Sequence, residues 1–177
     1  MSELKNVRTL TLAALLSAIG IIAGFFKIPI SEIIEIRFSL LPIAVAGSVF
    51  GPCIAAIVGI VSDLGGFLIK PTGPYFPGFT ISGAVSGMIF GLCLYQKRGT
   101  VPGIHRVLAA VIINSVIVNL LLNSLWLTLL YGKGGFVAVL SARIVKELIM
   151  IPINIIMIMA VTRPISVITR SQSACRQ

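Results

Sequence analysis

Six apolar runs follow one another along this chain, at about 9–26, 38–50, 52–69, 78–95, 107–131 and 137–162. A helix rising 1.5 Å per residue needs about 20 residues to cross a hydrocarbon core of roughly 30 Å. Most of the runs approach that length; the second is short, and Gly51-Pro52 breaks the chain tightly between it and the third. Between the runs there is too little polar chain to cover a water-soluble fold. Of the 177 residues, 57% are hydrophobic and 11% are charged, with a mean hydropathy of +1.08. An ordinary soluble domain carries about 25% charged residues. These figures exclude a soluble enzyme, a secreted disulfide scaffold and a disordered chain. The expected architecture is all-α: a polytopic six-transmembrane-helix bundle, forming a single integral membrane domain over residues 1–177.

The net charge of +9, from 14 Lys and Arg against 5 Asp and Glu, resembles that of a nucleic-acid binder. In so apolar a chain it reads better as a topology signal on loops, and no nucleic-acid partner is expected. Lys5, Arg8, Lys97, Arg98, Arg106, Arg163, Arg170 and Arg176 all fall on one side of six spans. The other side holds Lys27, Lys70 and Lys133, with Arg37 at its edge. The positive-inside rule then puts both termini in the cytoplasm of a multi-pass membrane protein and segments 27–37, 70–77 and 132–136 outside. The first apolar run is too long for a signal-peptide core and lacks a small-x-small cleavage site, so it is read as a retained helix. Cys53, Cys93 and Cys175 have no metal-type spacing and lie at or near the reducing side.

Small residues recur every fourth position at Gly83, Gly87 and Gly91, at Ala55 and Gly59, and at Gly47 and Gly51. Such faces let helices approach closely in lipid, and packing within the subunit accounts for most of them. The informative residues are polar ones inside the spans, where an Asp, Lys or Arg near a helix centre costs ~2.5–3.5 kcal/mol. Asp63 shares a helical face with Gly59 and Ala55 and so points into the bundle. Ser115, Asn119, Asn123 and Trp126 make a stripe along span five, and Arg143, Lys146 and Glu147 open span six. With the stated topology, Asp63, Asn123, Trp126, Arg143, Lys146 and Arg37 all sit in the outer half. An aromatic loop, Pro71-Thr72-Gly73-Pro74-Tyr75-Phe76-Pro77-Gly78-Phe79, lies above them.

Plainer roles exist for several of these residues. Arg143 and Glu147 are spaced to neutralise each other, and Lys146 has the reach to snorkel. Trp126 suits an interfacial belt, and Arg37 a membrane anchor. Asp63 is harder to dismiss, because no basic residue in its own helix lies within four positions. Together the residues suit an anionic, ring-containing small molecule. A carboxylate with amide neighbours accepts N–H donors from a planar heterocycle, Phe67, Tyr75, Phe76 and Trp126 stack on it, and Arg37, Arg143, Lys146 and Lys70 meet carboxylates or phosphate.

The runs Arg37 to Ala44, Phe50-Gly51-Pro52, Asp63-Leu64-Gly65-Gly66-Phe67, Pro71 to Phe79, Asn123-Ser124-Leu125-Trp126 and Arg143 to Lys146 occur in that order. In this the chain closely resembles the folate-specific substrate-binding subunits, or S components, of bacterial energy-coupling factor vitamin transporters. The resemblance covers about residues 10–160, and the Pro71–Phe79 loop is its most specific part. It implies capture of folate or a related pterin vitamin from outside, with no cofactor and no chemistry. It also implies delivery through a transmembrane coupling subunit and two cytoplasmic ATPases. An Ala-xxx-Ala pair on the first helix docks the coupling subunit in such families, and Ala14 and Ala18 match it. The pocket roles it suggests are Asp63 and Asn123 for the pterin edge and Arg37, Arg143 and Lys146 for the glutamate end. Phe67, Tyr75 and Trp126 complete the expected substrate-binding set. An S component for riboflavin or thiamine is the nearest alternative. A membrane enzyme lacks a nucleophile with a base, or carboxylates for metals, since His105, the one histidine, lies in a cytoplasmic loop. A channel lacks a filter motif. There is no G-x-x-x-x-G-K-[ST] loop, so energy must come from partners or gradients.

Overall fold

The computed structural model describes residues 7–25, 27–29, 35–69, 76–95, 103–131, 144 and 146–162. Helix α1 (Val7–Phe25) leads into a short antiparallel hairpin of β1 (Lys27–Pro29) and β2 (Glu35–Arg37). Lys27 pairs with Arg37, Ile28 with Ile36 and Pro29 with Glu35. The hairpin is absent from the sequence reading, because three-residue strands are too short to show a period of two. Helices α2 (Leu40–Phe50), α3 (Pro52–Ile69) and α4 (Pro77–Leu94) follow. The fifth rod is α5 (Ile104–Asn114), a π-helical segment (Ser115–Leu122) and α6 (Asn123–Tyr131). A last helix, α7, occupies 146–162.

Proline and glycine set the breaks. Gly51 closes α2 at φ 86°, a conformation that glycine adopts without penalty, and its N–H donates to Gly47 O at 3.2 Å. Pro52 then opens α3 at a position where a missing N–H costs nothing. Pro77 does the same for α4 after the extended Phe76. Pro52–Ile69, Pro77–Leu94 and Ile104–Trp126 are long and apolar enough to cross a membrane. By contrast α2, with 11 residues, is only ~16 Å long. It survives because Pro42 to Gly47 are buried among the other helices, where its ends need not meet lipid.

The packing is inside-out relative to a soluble protein. The interior is built largely of small and branched residues, among them Ala44, Ala46, Ala55, Val58, Val107, Ala110 and Val111, with Phe90 and Leu94 as the large ones. Long apolar side chains such as Leu68 (79% exposed), Leu92 and Leu148 point outward, as a bilayer requires. The tightest seam joins α3 to α4, which run antiparallel. A Cβ on Gly59 would strike the carbonyl of Gly83, one on Gly87 the carbonyl of Ala55, and one on Gly91 the backbone of Pro52. Gly91 also receives α2: a Cβ on Gly47 would come 2.8 Å from Gly91 N. On α1, Ala13 and Ser17 are buried against the bundle, whereas Ala14 and Ala18 are exposed. Ser62 of α3 donates to Ser17 O at 3.5 Å.

This seam separates two kinds of glycine. Gly87→Ala must push α3 and α4 apart, and overpacking of this sort costs ~1–3 kcal/mol. A Cβ on Gly24 would meet nothing within 4 Å among the described residues, so Gly24→Ala should be neutral or stabilise by up to ~1 kcal/mol through helix propensity. Thermal unfolding in detergent should therefore show a lower Tm for Gly87→Ala only; equal behaviour of the two variants would contradict the seam.

Candidate functional site

The end of the bundle that carries the hairpin is also where α3 ends, α4 begins and α6 ends. Three helices thus bring polar and aromatic groups to one place. Asp63 sits half-buried two turns from the C-terminus of α3. The hydroxyl of Thr80, in the first turn of α4, donates to its Oδ2 at 2.9 Å. A hydrogen bond to an ionised carboxylate is about twice as strong as a neutral one. The same turn of α4 reaches the other way as well. Trp126 Nε1 of α6 donates to Ser82 Oγ at 3.1 Å, which fixes the indole against α4. The Phe76 ring lies 5.5 Å from that of Trp126, tilted by 52°, and 6.2 Å from that of Phe79 in an edge-on arrangement. Gly78 is buried under both Phe76 and Trp126, and a Cβ there would run into the two rings. A carboxylate and an aromatic cluster are therefore tied to one short stretch, Phe76 to Ser82.

Asn123 opens α6 one turn before Trp126, and its amide donates to Asn119 Oδ1 at 3.3 Å. Asn119 belongs to the π-helical segment, whose wider turns interrupt the α-helical spacing from which the stripe was read. The deeper end of that stripe is closed: Ser115 is 2% exposed and packs into the interior. Only Asn119, Asn123 and Trp126 remain half-buried. π-helical turns are rare and are frequently found at functional sites. Phe67 is half-buried one turn beyond Asp63.

The basic residues are placed less fully. Arg37 is fixed through its backbone, at the end of β2 opposite Lys27, while its side chain lies outside the described residues. Tyr75 and Arg143 also lie outside them, as does Lys70. Lys146 is half-buried at the start of α7. Its neighbour Glu147 is 8% exposed, and its Oε2 has no hydrogen-bond partner among the described residues. No group of three or more His, Cys, Asp or Glu able to hold a metal occurs among the described residues.

Thr80 and Ser82 are absent from the sequence reading. Each is an ordinary hydroxyl residue in an apolar helix, and such residues usually bond back to their own helix. Their position just after the Pro77-Gly78 helix start is the signal that the sequence carries; the helices they face are not encoded in it.

Residues 8–162 match the family described as ECF transporter, substrate-specific component. The chain is 42% identical over 155 residues to the folate transporter FolT of Clostridium novyi (strain NT), covering 88% of each protein. It is 27% identical over 154 residues to the FolT of Leuconostoc mesenteroides subsp. mesenteroides, covering 85% of this chain and 82% of that one. Among solved structures, it resembles the crystal structure of FolT bound with folic acid. The TM-score is 0.78 at 31% identity, over 90% of this chain and 95% of that one. The apolar bundle, the family match across both of its ends and the helical neighbour agree: this chain is a multi-pass membrane protein that belongs to the substrate-specific components of energy-coupling factor transporters.

Proposed function

We propose that this chain is the folate-capturing subunit of an energy-coupling factor transporter, with both termini cytoplasmic and the hairpin end facing outward. The observation that carries this reading is the joining of Asp63 to the Phe76–Trp126 cluster through the first turns of α4. A pterin offers adjacent N–H donors on one edge, which a carboxylate accepts, and a flat face, which aromatic rings stack on. The FolT relatives and the folic acid-bound neighbour support the same ligand.

In this reading Asp63 and Asn123 meet the pterin edge, and Phe67, Tyr75 and Trp126 line its faces. Arg37, Arg143 and Lys146 gather at the glutamate end, where fork-shaped guanidinium groups suit carboxylates. Binding needs no chemistry and no cofactor. A coupling subunit and two ATPases, which membership of the family implies, drive transport in this reading. The exposed Ala14–Ala18 face of α1 is the docking surface for the coupling subunit. That assignment draws support from the division of labour on α1, where the parallel Ala13–Ser17 pair is already used inside the bundle.

Three outcomes test the reading. Asp63→Ala should cost ~2–4 kcal/mol of folate affinity, since it removes a charge-assisted acceptor and leaves buried donors unmet. Isothermal titration reads this directly, and a folded variant that binds like wild type would remove Asp63 from the site. Arg143→Gln or Lys146→Gln should weaken folate far more than a pterin lacking glutamate. Equal losses for the two ligands, together with a lower melting temperature, would instead make Arg143 the structural counter-ion of Glu147. Finally, Ala14→Leu or Ala18→Leu should leave folate binding by the isolated protein intact while abolishing ATP-dependent uptake in cells, since overpacking a docking groove costs ~1–3 kcal/mol or more. Uptake at wild-type rates would move the docking surface elsewhere.

A further inference from the structure

The contact between Thr80 and Asp63 lies beside the close backbone seam of α3 and α4. Gly83, one turn along α4 from Thr80, lies against Gly59, one turn before Asp63 on α3. A Cβ on Gly83 would also stand 3.7 Å from the Asp63 Cβ. Neither helix can slide past the other without closing this gap, so the donor and the acceptor are held in register by backbone rather than by flexible side chains. Thr80 is branched at Cβ and has few rotamers to choose from. Its hydroxyl is therefore a fixed point against which the carboxylate turns.

We propose that Thr80 is a positioning residue that orients the Asp63 carboxylate for the ligand and so sets affinity for the heterocycle, an inference that rests on the folate reading above. A carboxylate has about four lone-pair positions, and the hydroxyl of Thr80 takes one of them, on Oδ2. That bond restricts rotation of the carboxylate and uses one of its acceptor positions. Ligand N–H groups then meet an acceptor whose ordering cost has already been met, the condition under which polar contacts yield affinity. Two residues further on, about 200° around the helix, Ser82 accepts the indole N–H of Trp126. α4 is thus wedged between α3 and α6, fixing the polar contact on one side and the stacking surface on the other. A hydroxyl–carboxylate bond between helices could instead serve only to join α3 to α4. The two roles separate by experiment, because a joining bond contributes to folding whether or not Asp63 touches ligand.

Folate titration of purified wild type, Thr80→Val, Thr80→Ser, Asp63→Asn and the Thr80→Val/Asp63→Asn pair decides between them. Thr80→Val keeps the shape and removes the donor; it should weaken folate by roughly tenfold to a hundredfold. Thr80→Ser should return affinity to within about threefold of wild type. In the Asp63→Asn background, Thr80→Val should change affinity by less than about threefold, since the carboxylate it orients is gone. Thr80→Ala takes the place of Thr80→Val should the latter not fold. Wild-type affinity in Thr80→Val, failure of Thr80→Ser to rescue, or the same fold-loss in the Asp63→Asn background would overturn the role of Thr80 while leaving the folate reading standing. A wild-type protein that binds no folate would overturn both.

Discussion

The backbone-to-backbone approach of α3 and α4 is the contact on which the remaining architecture depends. Lipid tails are as apolar as leucine, so helices in a bilayer gain little from hiding apolar side chains against each other. What they gain is dispersion, which requires close approach over many atoms. Gly59 against Gly83, Ala55 against Gly87 and Pro52 against Gly91 provide that approach along the whole seam. The same closeness on the α2 side, Gly47 against Gly91, lets a helix of 11 residues remain in the bundle. Larger apolar side chains are then left for the outside, where Leu68, Leu92 and Leu148 meet lipid.

That seam also fixes the chemistry at one end. Because α3 and α4 run antiparallel in tight register, the end of α3 meets the beginning of α4, and Asp63 falls opposite Thr80. An acidic side chain in a membrane-length helix is costly unless it faces protein or water and is hydrogen-bonded. Here it is held by a hydroxyl of a neighbouring helix, and the same turns of α4 support an aromatic cluster on another side through Ser82. The closest backbone contacts lie along the glycine seam, and Asp63, Thr80, Ser82 and Trp126 are gathered toward one end of it.

The helical membrane class and the family were legible in the sequence because both are written in features that survive without coordinates. Apolar run length reports the bilayer, and ordered short motifs such as Asp63 to Phe67 and Pro71 to Phe79 report descent. The glycine spacing likewise foretold close helix contact, although it did not say which helices would meet. Other parts were not legible. The β1–β2 hairpin is too short to leave a periodic trace, and nothing in the residue pattern of Ser115–Leu122 marks its turns as π-helical. The α-spaced stripe from Ser115 to Trp126 was therefore only half informative, since Ser115 packs inside while Asn123 and Trp126 stay at the site. The roles of Thr80 and Ser82 are not legible for a related reason: a hydroxyl's partner is decided across helices, and no spacing within one helix encodes it.

The central claim is that this chain, alone and without its transport partners, holds folate. Native mass spectrometry of the detergent-purified full chain, incubated with an equimolar mixture of folate, riboflavin and thiamine, tests it most directly. The account predicts a single added mass equal to folate that persists on gentle activation. An added mass equal to riboflavin or thiamine, or none at all, would contradict it.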